Sequence, residues 1–532
     1  MKKSVLMPKK SIFLILLSLY GLNAKMIESQ TSTHSPEAKP LCFDIYAIEF
    51  IPLGTGQKDE AKILKKFSFA YPIAKPYQNT CMGITQINNL LKQLNLKSID
   101  KGYITTKFGL LPQDLNSGEL KISIQIGLID EIKYQDKAKM LSFSKDFGMK
   151  KGDILNLKDI QSGIENLKRL RHLSVSAKIL PSEEKSKSNI IISSQPKSLP
   201  IFAQASFDNG GNLADNYEGI FLFGIENPLH LADSMQLYLL TSIPFDKKNH
   251  SYYGSLSYTI PIRRFLFQID SSYAHNAQVI KFSQISPVYS GRSFSFDLKM
   301  SYLVYEDIKN KLSLGLGIAQ RNSDNYLDKI KLEVQKKYLN EISAFINYKR
   351  FFANSQFDIT LSLLQAIPLF GSNKNSITHK TYLYTIPSLN LYFYQPFSLL
   401  NQTFVYNTAF KTQISRDELY ASEKMTIGGR YTVRGFDHFS LSGQMGILYR
   451  NDLMAYLPRF FGITLAPSLG ADIGYVSNIT TKNPNPGLLS GGGIGLQLFS
   501  KYFNAQIWEY LAFYNPYQSP TQNLFFSLAF KW

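Results

Sequence analysis

One arginine and one aspartate in the C-terminal half of the chain have the chemistry and the surroundings of an enclosed ion pair. Arg434 stands in the glycine-rich stretch of residues 427–436, and Asp472 stands where glycines alternate with apolar residues. In a strand, this alternation would put Asp472 on one face with Gly470 and Gly474. A guanidinium removed from water requires a carboxylate partner, which predicts an Arg434–Asp472 pair. The alternative is that each side chain is solvated separately.

The chain shows no catalytic motif, so enzymatic activity is not predicted. The patterns G-x-S-x-G, H-E-x-x-H and C-x-x-C are missing, and the 7 histidines are dispersed without ligand spacing. Residues 54–58 lack the spacing of a phosphate-binding loop, and residues 491–495 do not lie in the βαβ unit that a nucleotide fingerprint requires. The glycines of residues 491–495 are better explained by close packing of a strand than by nucleotide binding. We therefore expect no metal ion and no cofactor.

The elements that would position the ion pair lie in a long β-rich region that follows Pro200. Its segments, such as residues 256–260, 294–304 and 312–318, alternate apolar with polar or small side chains. Long alternating segments are typical of transmembrane strands that face lipid on one side and a wet lumen on the other. Residues 199–532 are long enough for a transmembrane antiparallel barrel of about sixteen strands. A soluble β-sandwich or β-solenoid is the alternative.

The end of the chain has the pattern of a closing strand. One face of the last segment carries only apolar side chains, namely Leu524, Phe526, Leu528, Phe530 and Trp532. Bacterial outer-membrane barrels usually finish on such a strand with an aromatic residue. We therefore interpret Phe526, Leu528, Phe530 and Trp532 as a terminal strand signal.

Residues 1–24 have the composition of a signal peptide, which predicts export from the cytoplasm. Four lysines precede the apolar segment of residues 12–22, and cleavage is expected after the small residue Ala24. The net charge of +18 comes from basic residues scattered along the whole chain, which argues against nucleic acid as a partner.

Between the signal peptide and the β-rich region, the sequence predicts a linker and two small mixed α/β modules. Residues 25–40 are polar and rich in Ser, Thr and Pro, as linkers are. Residues 41–122 and 123–198 each contain an amphipathic helix and an alternating strand. In the first module, apolar residues at helical spacing are Ile84, Ile87, Leu91 and Leu94. In the second, residues 157–170 predict a helix with Asn156 as N-cap.

Cys42 and Cys81 are the 2 cysteines of the chain, and both follow the export signal closely. In an oxidising compartment, such a pair indicates a structural disulfide, with two buried thiols as the alternative. Metal binding by two isolated cysteines is not expected.

Several motifs resemble a known family. Val433, Arg434, Gly435 and Phe436 resemble the V-R-G-F signature of the outer-membrane assembly superfamily, which sits on a loop folded into the barrel, and Asp472 with Gly474 resembles its partner motif. More specifically, residues 101–106, 111–115 and 118–120 resemble the first POTRA module of the TpsB transporters of two-partner secretion, the haemolysin secretion/activation type. Residues 207–211 resemble that family's first barrel strand. Paired cysteines also tend to occur in the family where Cys42 and Cys81 stand.

The resemblance implies an outer-membrane pore that exports one large unfolded partner protein of β-helical fold without ATP, after periplasmic POTRA modules capture it. It also implies contact with membrane lipid and lipopolysaccharide, and insertion by the barrel-assembly machinery. Residues 25–40 depart from the family because they show no apolar helical face that could plug the pore. An assembly factor of the same superfamily, a passive porin or adhesin, and a gated siderophore receptor are the alternatives.

Overall fold

A computed structural model gives the fold of the chain. It describes residues 42–54, 60–136, 149–210, 217–243, 245–246, 248–281, 285–307, 309–369, 372, 383–436, 439–478, 487–521 and 524–532. The expected signal peptide at residues 1–24 and linker at residues 25–40 lie outside these ranges. In the described part of the chain, no helix is long and apolar enough to cross a membrane.

The first module packs helices against a three-stranded sheet. Its elements are β1 (Phe43–Ile45), β2 (Ala47–Leu53), α1 (Glu60–Lys66), α2 (Ala70–Ala74), a 3-10 turn (Lys75–Tyr77), β3 (Thr80–Met82), α3 (Ile84–Asp100), β4 (Lys107–Leu110), a 3-10 turn (Leu115–Ser117) and β5 (Glu119–Gln125). The sheet order is β2-β5-β4, with β2 parallel and β4 antiparallel to β5. Leu120, Ile122 and Ile124 of β5 are buried against the helices because alternate residues of a strand share one face.

The buried face of α3 differs from the predicted one at its start. Ile87, Leu90 and Leu94 are buried, whereas Ile84 is 77% exposed. Ile84 is the first residue of the helix, and it precedes the turns whose side chains enter the core. The prediction that Ile84 belongs to the apolar face is therefore wrong.

A disulfide holds the start of the first module, and the last strand of the module continues past the predicted boundary. A disulfide joins Cys42 to Cys81 with a Cα–Cα distance of 5.4 Å, and the next residues pair as the small antiparallel sheet β1–β3. At the other end, β5 continues to Gln125, and Ile126 still belongs to the first core. The first module thus extends about four residues beyond the predicted boundary at residue 122.

The second module repeats the same topology. Its elements are β6 (Leu128–Asp136), α4 (Leu157–Lys168), β7 (Leu173–Pro181) and β8 (Lys187–Pro196). The sheet order is β6-β8-β7, with β6 parallel and β7 antiparallel to β8. The Asn156 side chain accepts a hydrogen bond of 2.9 Å from the Lys158 N–H, so the predicted N-cap is confirmed.

The rest of the chain forms one closed barrel. The strands from here to the C-terminus are β9 (Ile201–Asp208), β10 (Tyr217–Glu226), β11 (Ser234–Ile243), β12 (His250–Ile262), β13 (Phe265–Val279), β14 (Val288–Glu306), β15 (Asn310–Leu327), β16 (Ile330–Lys331), β17 (Lys337–Phe351), β18 (Gln356–Ala366), β19 (Thr385–Leu399), β20 (Gln402–Gln413), β21 (Met425–Ile427), β22 (Leu441–Gly443), β23 (Met445–Tyr456), β24 (Thr464–Ser477), β25 (Gly487–Phe499), β26 (Phe503–Tyr514) and β27 (Leu524–Lys531). Short 3-10 turns lie at Glu333–Gln335 and Ala421–Glu423. Apart from the short β16, β21 and β22, these strands build an antiparallel wall, and the predicted mainly β fold with a barrel of about sixteen strands and two small modules is confirmed.

The strands of the wall present an apolar face outward and a polar face to the lumen. Leu314, Leu316 and Ile318 of β15 are about half exposed on the outer wall. Inside, hydroxyl groups meet across neighbouring strands, as Ser272 and Ser295 do at 2.7 Å. An apolar exterior around a polar interior is the reverse of a soluble β-sandwich and suits a barrel in lipid.

The second module docks on the end of the barrel where β9 begins. Glu165 of α4 forms an ion pair of 2.9 Å with Lys311 at the start of β15. His172, which precedes β7, lies 2.7 Å from the Glu226 carboxylate at the end of β10, and both side chains are buried. Ala232 of the following barrel turn packs in the core of the module. These contacts fix the module beside the mouth of the barrel.

Candidate functional site

The candidate site is a loop that connects β20 to β23 and folds back into the lumen. Within this loop, β21 pairs with β22, and the described residues 428–436 and 439–440 lie between them. Ile427, Val433 and Phe436 are buried in an apolar cluster with Leu448 of β23 and Val476 of β24. Apolar contact with the inner wall therefore holds the loop against one side of the barrel.

Arg434 and Asp472 form a bidentate ion pair. Arg434 Nε donates to Asp472 Oδ2 at 2.6 Å, and Nη2 donates to Oδ1 at 2.7 Å. The Arg434 backbone N–H adds a bond of 3.1 Å to Asp472 Oδ2. Arg434 is 2% exposed and Asp472 4% exposed, so both charges are withdrawn from water. Planar, two-bond pairing of this kind orients the arginine as well as neutralising it.

Further groups complete the surroundings of the guanidinium. Nη1 of Arg434 donates to Asp452 Oδ1 at 2.6 Å, and Nη2 also donates to the Asn451 carbonyl at 3.1 Å. The Trp508 ring of β26 lies 5.4 Å from the guanidinium carbon and gives a cation–π contact. The sequence pattern did not point to Asp452 or Trp508, because neither lies in a recognisable motif.

The glycines of β24 provide the space that the loop occupies. Asp472 is buried while its neighbours Ala471 and Ile473 are exposed outside, which is the predicted alternation of β24. A side chain at Gly474 would meet Val433 at 2.8 Å and Ile427 at 2.9 Å. Gly470 faces the Arg434 guanidinium in the same way. A small residue is required here because the loop approaches the strand backbone directly.

Gly435 allows the backbone to turn within the signature of residues 433–436. Its φ is +94°, a conformation that other residues adopt only with strain. Any Cβ here would also approach the backbone of Leu511 and Ala512 in β26. The residue type therefore follows from both the turn and the close packing.

A second arginine of the same loop, Arg430, makes a separate anchor that the sequence analysis missed. Nη1 of Arg430 donates to Asp208 of β9 at 2.9 Å, and Nη2 donates to Glu218 of β10 at 2.6 Å. Both carboxylates are buried, and the guanidinium also lies 5.2 Å from the Phe525 ring of β27. Glu218, a charged residue directly before the apolar run of residues 219–225, was the available signal.

Below the loop, the lumen contains a cavity of about 530 Å³. Amide and hydroxyl side chains line one part of it, and charged side chains line another; these are Gln204, Ser206, Asn407, Gln497, Asn504, Gln506 and Ser527, and Asp208, Arg430, Arg434, Arg450 and Asp452. The amide and hydroxyl groups can hydrogen-bond a peptide backbone without selecting a particular sequence. The lumen is thus polar next to the loop.

The remaining predicted residues lie away from this site. Phe526, Leu528 and Phe530 belong to β27, which closes the barrel against β9, and Trp532 is 71% exposed at its end. The cysteine pair lies in the first module. The structure therefore brings together the loop signature with Asp472 and Gly474, whereas the disulfide lies in the first module and the terminal strand signal lies on β27 and the residue after it.

Comparison with known proteins gives matches along most of the chain. A family model described as haemolysin secretion/activation protein ShlB/FhaC/HecB matches residues 186–498. A POTRA domain of ShlB type matches residues 60–127, and a second POTRA domain matches residues 128–181.

Individual relatives share the same range. The outer membrane transporter CdiB-2 of Burkholderia pseudomallei strain 1026b is 26% identical over 501 residues, covering 87% of this chain and 84% of that protein. The hemolysin transporter protein HpmB of Proteus mirabilis is 28% identical over 442 residues, covering 81% of this chain and 76% of that protein. The solved structure of CdiB from Acinetobacter baumannii superposes with a TM-score of 0.80 at 25% identity, covering 93% of this chain and 91% of that one.

Proposed function

The chain belongs to the haemolysin secretion/activation family ShlB/FhaC/HecB, and we propose on that premise how its modules and barrel divide the work of secretion. It is an outer-membrane pore of two-partner secretion, with its POTRA modules in the periplasm. The modules capture one large partner exoprotein in unfolded form, and the barrel passes it to the surface without ATP. Folding of the cargo into a β-helix outside makes passage irreversible. The chain acts as a conduit and catalyses no reaction.

The observation that carries this proposal is an open sheet edge beside the mouth of the barrel. In the described residues, β7 of the second module pairs with β8 and with no other strand over its 9 residues. An open edge offers unpaired N–H and C=O groups to any extended segment, with little demand on its sequence. β7 begins at Leu173, directly after His172, which contacts the barrel residue Glu226. A segment that pairs with β7 therefore starts at the pore entrance.

The loop in the lumen is the part that must respond to cargo. It fills space on the path of any chain crossing the barrel, and Arg434 with Asp472 holds it there. We assign Val433, Arg434, Gly435 and Phe436 the role of keeping the loop in a poised position from which cargo displaces it. Buried ion pairs suit this role, since they have one well-defined geometry and are lost when either partner moves away.

The outer surface supports the remaining partners. Membrane lipid and lipopolysaccharide contact the apolar outer wall. At the closing strand, Phe530 is 47% exposed and Trp532 is 71% exposed. The barrel-assembly machinery recognises these two residues together with Phe526 and Leu528 during insertion. These assignments follow from what each surface exposes.

The proposal is tested first by establishing whether the adjacent gene encodes a large exported protein, and then by co-expressing that protein with the chain in a Gram-negative host that lacks both. Secretion into the medium is compared between the full chain and a variant without residues 41–198, which removes both modules and with them the open edge of β7. We expect the full chain to secrete the partner and the variant to insert a heat-modifiable barrel that does not.

Export by the shortened variant at the level of the full chain would show that the modules have no capture role. Loss of other outer-membrane proteins from cells that lack the chain, without any secreted partner, would instead favour an assembly factor.

A further inference from the structure

The barrel closes through a short seam between its first and last strands. β9 and β27 share 5 paired positions, from Gln204 with Lys531 to Asp208 with Ser527, whereas β9 and β10 share 8 and β26 and β27 share 7. Each further pair would add backbone hydrogen bonds to the closure. The seam is therefore the least paired junction among the described wall strands.

Two side-chain features extend this seam beyond its backbone ladder. Asn209 receives the Phe526 N–H at 2.9 Å through its side-chain oxygen and donates its amide to the Leu524 carbonyl at 2.9 Å. Above these bonds, Arg430 reaches both sides of the junction. It binds Asp208 of β9 and Glu218 of β10 through its guanidinium, and it lies over the Phe525 ring of β27.

The other end of the same loop is tied to a different part of the wall. Arg434, four residues after Arg430, is bound to Asp452 of β23 and Asp472 of β24. Between β24 and the seam lie β25, β26 and β27. The loop thus bridges the inner wall from one side of the seam to the other.

We propose that Arg430 is a positioning residue that staples the β9–β27 seam from inside the lumen. Its two Nη groups each hold one buried carboxylate, and its face covers an aromatic ring of the opposite strand. Lysine cannot reproduce this arrangement, because an ammonium lacks the planar fork that reaches two carboxylates at once. Without Arg430, Asp208 and Glu218 stay buried together as like charges, which favours separation of β9 and β10 from the loop.

The staple links the state of the loop to the strength of the seam. When the loop leaves the lumen, Arg430 is withdrawn, and the seam keeps its five ladder pairs, the backbone hydrogen bonds between Ala203 and Trp532, and the Asn209 bonds. This consequence rests on the proposed function, because it requires cargo to move the loop. The staple itself requires only the docked structure and can be tested without secretion.

The test uses a disulfide that closes the seam independently of Arg430. Ala203 and Trp532 exchange both backbone hydrogen bonds, so Ser206 and Ala529, three positions further, form a pair of the closer, non-hydrogen-bonded type. Ser206→Cys with Ala529→Cys is introduced into the wild type, Arg430→Ala and Arg430→Lys. The purified full-length proteins are heated in detergent, with and without reductant, and the temperature at which the folded gel band is lost is recorded.

Arg321→Ala is the matched control. Arg321 is also a lumen arginine with two carboxylate partners, Glu341 at 3.0 Å and Asp297 at 3.5 Å, but these lie on β17 and β14, away from the seam. We expect Arg430→Ala and Arg430→Lys to lose the folded band at a lower temperature than the wild type when reduced. Oxidation should remove that difference, while the deficit of Arg321→Ala should persist.

A deficit of Arg430→Ala that survives oxidation would overturn the proposal, because the arginine would then stabilise the barrel elsewhere. So would an Arg430→Lys variant with wild-type behaviour. If Arg430→Ala yields no folded barrel, the comparison is made with Glu218→Gln, which removes one carboxylate partner and keeps the Asp208 bond. Rescue of that variant by the oxidised disulfide supports the staple, and lack of rescue refutes it.

Discussion

Replacing Arg434 by alanine should release the lumen loop and leave the barrel folded. The guanidinium forms two bonds to Asp472, of 2.6 and 2.7 Å, and one of 2.6 Å to Asp452. Without it, the fully buried Asp472 side chain keeps the backbone N–H of residue 434 at 3.1 Å and the side chain of Arg450, whose Nε is 3.6 Å away. Removal of one partner of a buried pair costs about 3–5 kcal/mol, which lowers the ratio of docked to undocked loop by roughly two to three and a half powers of ten.

The loop position can be assayed by external trypsin on intact cells. In the docked loop, the Arg430 side chain is 10% exposed and should resist cleavage. Arg434→Ala should be cut after Arg430, secrete much less partner, and still give a heat-modifiable band in normal amount, because the strand ladder does not involve Arg434. Asp472→Ala should behave alike. Arg459→Ala, in the exposed turn between β23 and β24, is the control and should match the wild type.

A double-mutant cycle decides whether the two residues act as a pair. If Arg434 acts through Asp472, the double variant should be little worse than either single variant. Losses of protection and of secretion that multiply in the double variant would refute the pairing. Full trypsin resistance of Arg434→Ala would refute its role in docking the loop.

Two further predictions follow from the structure. In unreduced protein, Cys42 and Cys81 should both resist alkylation, and two reactive thiols in the native protein would contradict the disulfide. Because the disulfide spans 39 residues, replacing both cysteines by serine should lower the unfolding free energy of the first module by about 4 kcal/mol, which proteolysis in increasing urea measures. Gly474→Val should undock the loop, because the new side chain would collide with Val433 and Ile427, and external trypsin should then cleave the loop. Ala471→Val, on the outer face of the same strand, should leave the loop docked, and equal resistance of the two variants to trypsin would contradict the packing.

Much of the architecture is readable from local sequence patterns. Alternation along β15 and β24 is enough to separate lipid-facing from lumen-facing side chains, because a strand has only two faces. For the same reason, the inward direction of Asp472 follows from Gly470 and Gly474 before any partner is known. The N-cap at Asn156 is equally local, since it depends on bonds within one turn of helix. Even so, the pattern misplaced Ile84, because which turns of a helix enter the core is not a local property.

The tertiary structure alone decides which distant groups meet in the lumen. Arg430 lies 222 residues from Asp208 and 212 from Glu218, and they come together only because β27 closes the barrel on β9 and places the first strands beside the returning loop. Tertiary structure also decides that Asp452 becomes the second carboxylate bound to Arg434, and that Ala232 packs in the second module. Periodicity determines the face on which each residue lies. Closure of the barrel and the path of the loop determine what that face meets, because these depend on the packing of all the strands at once.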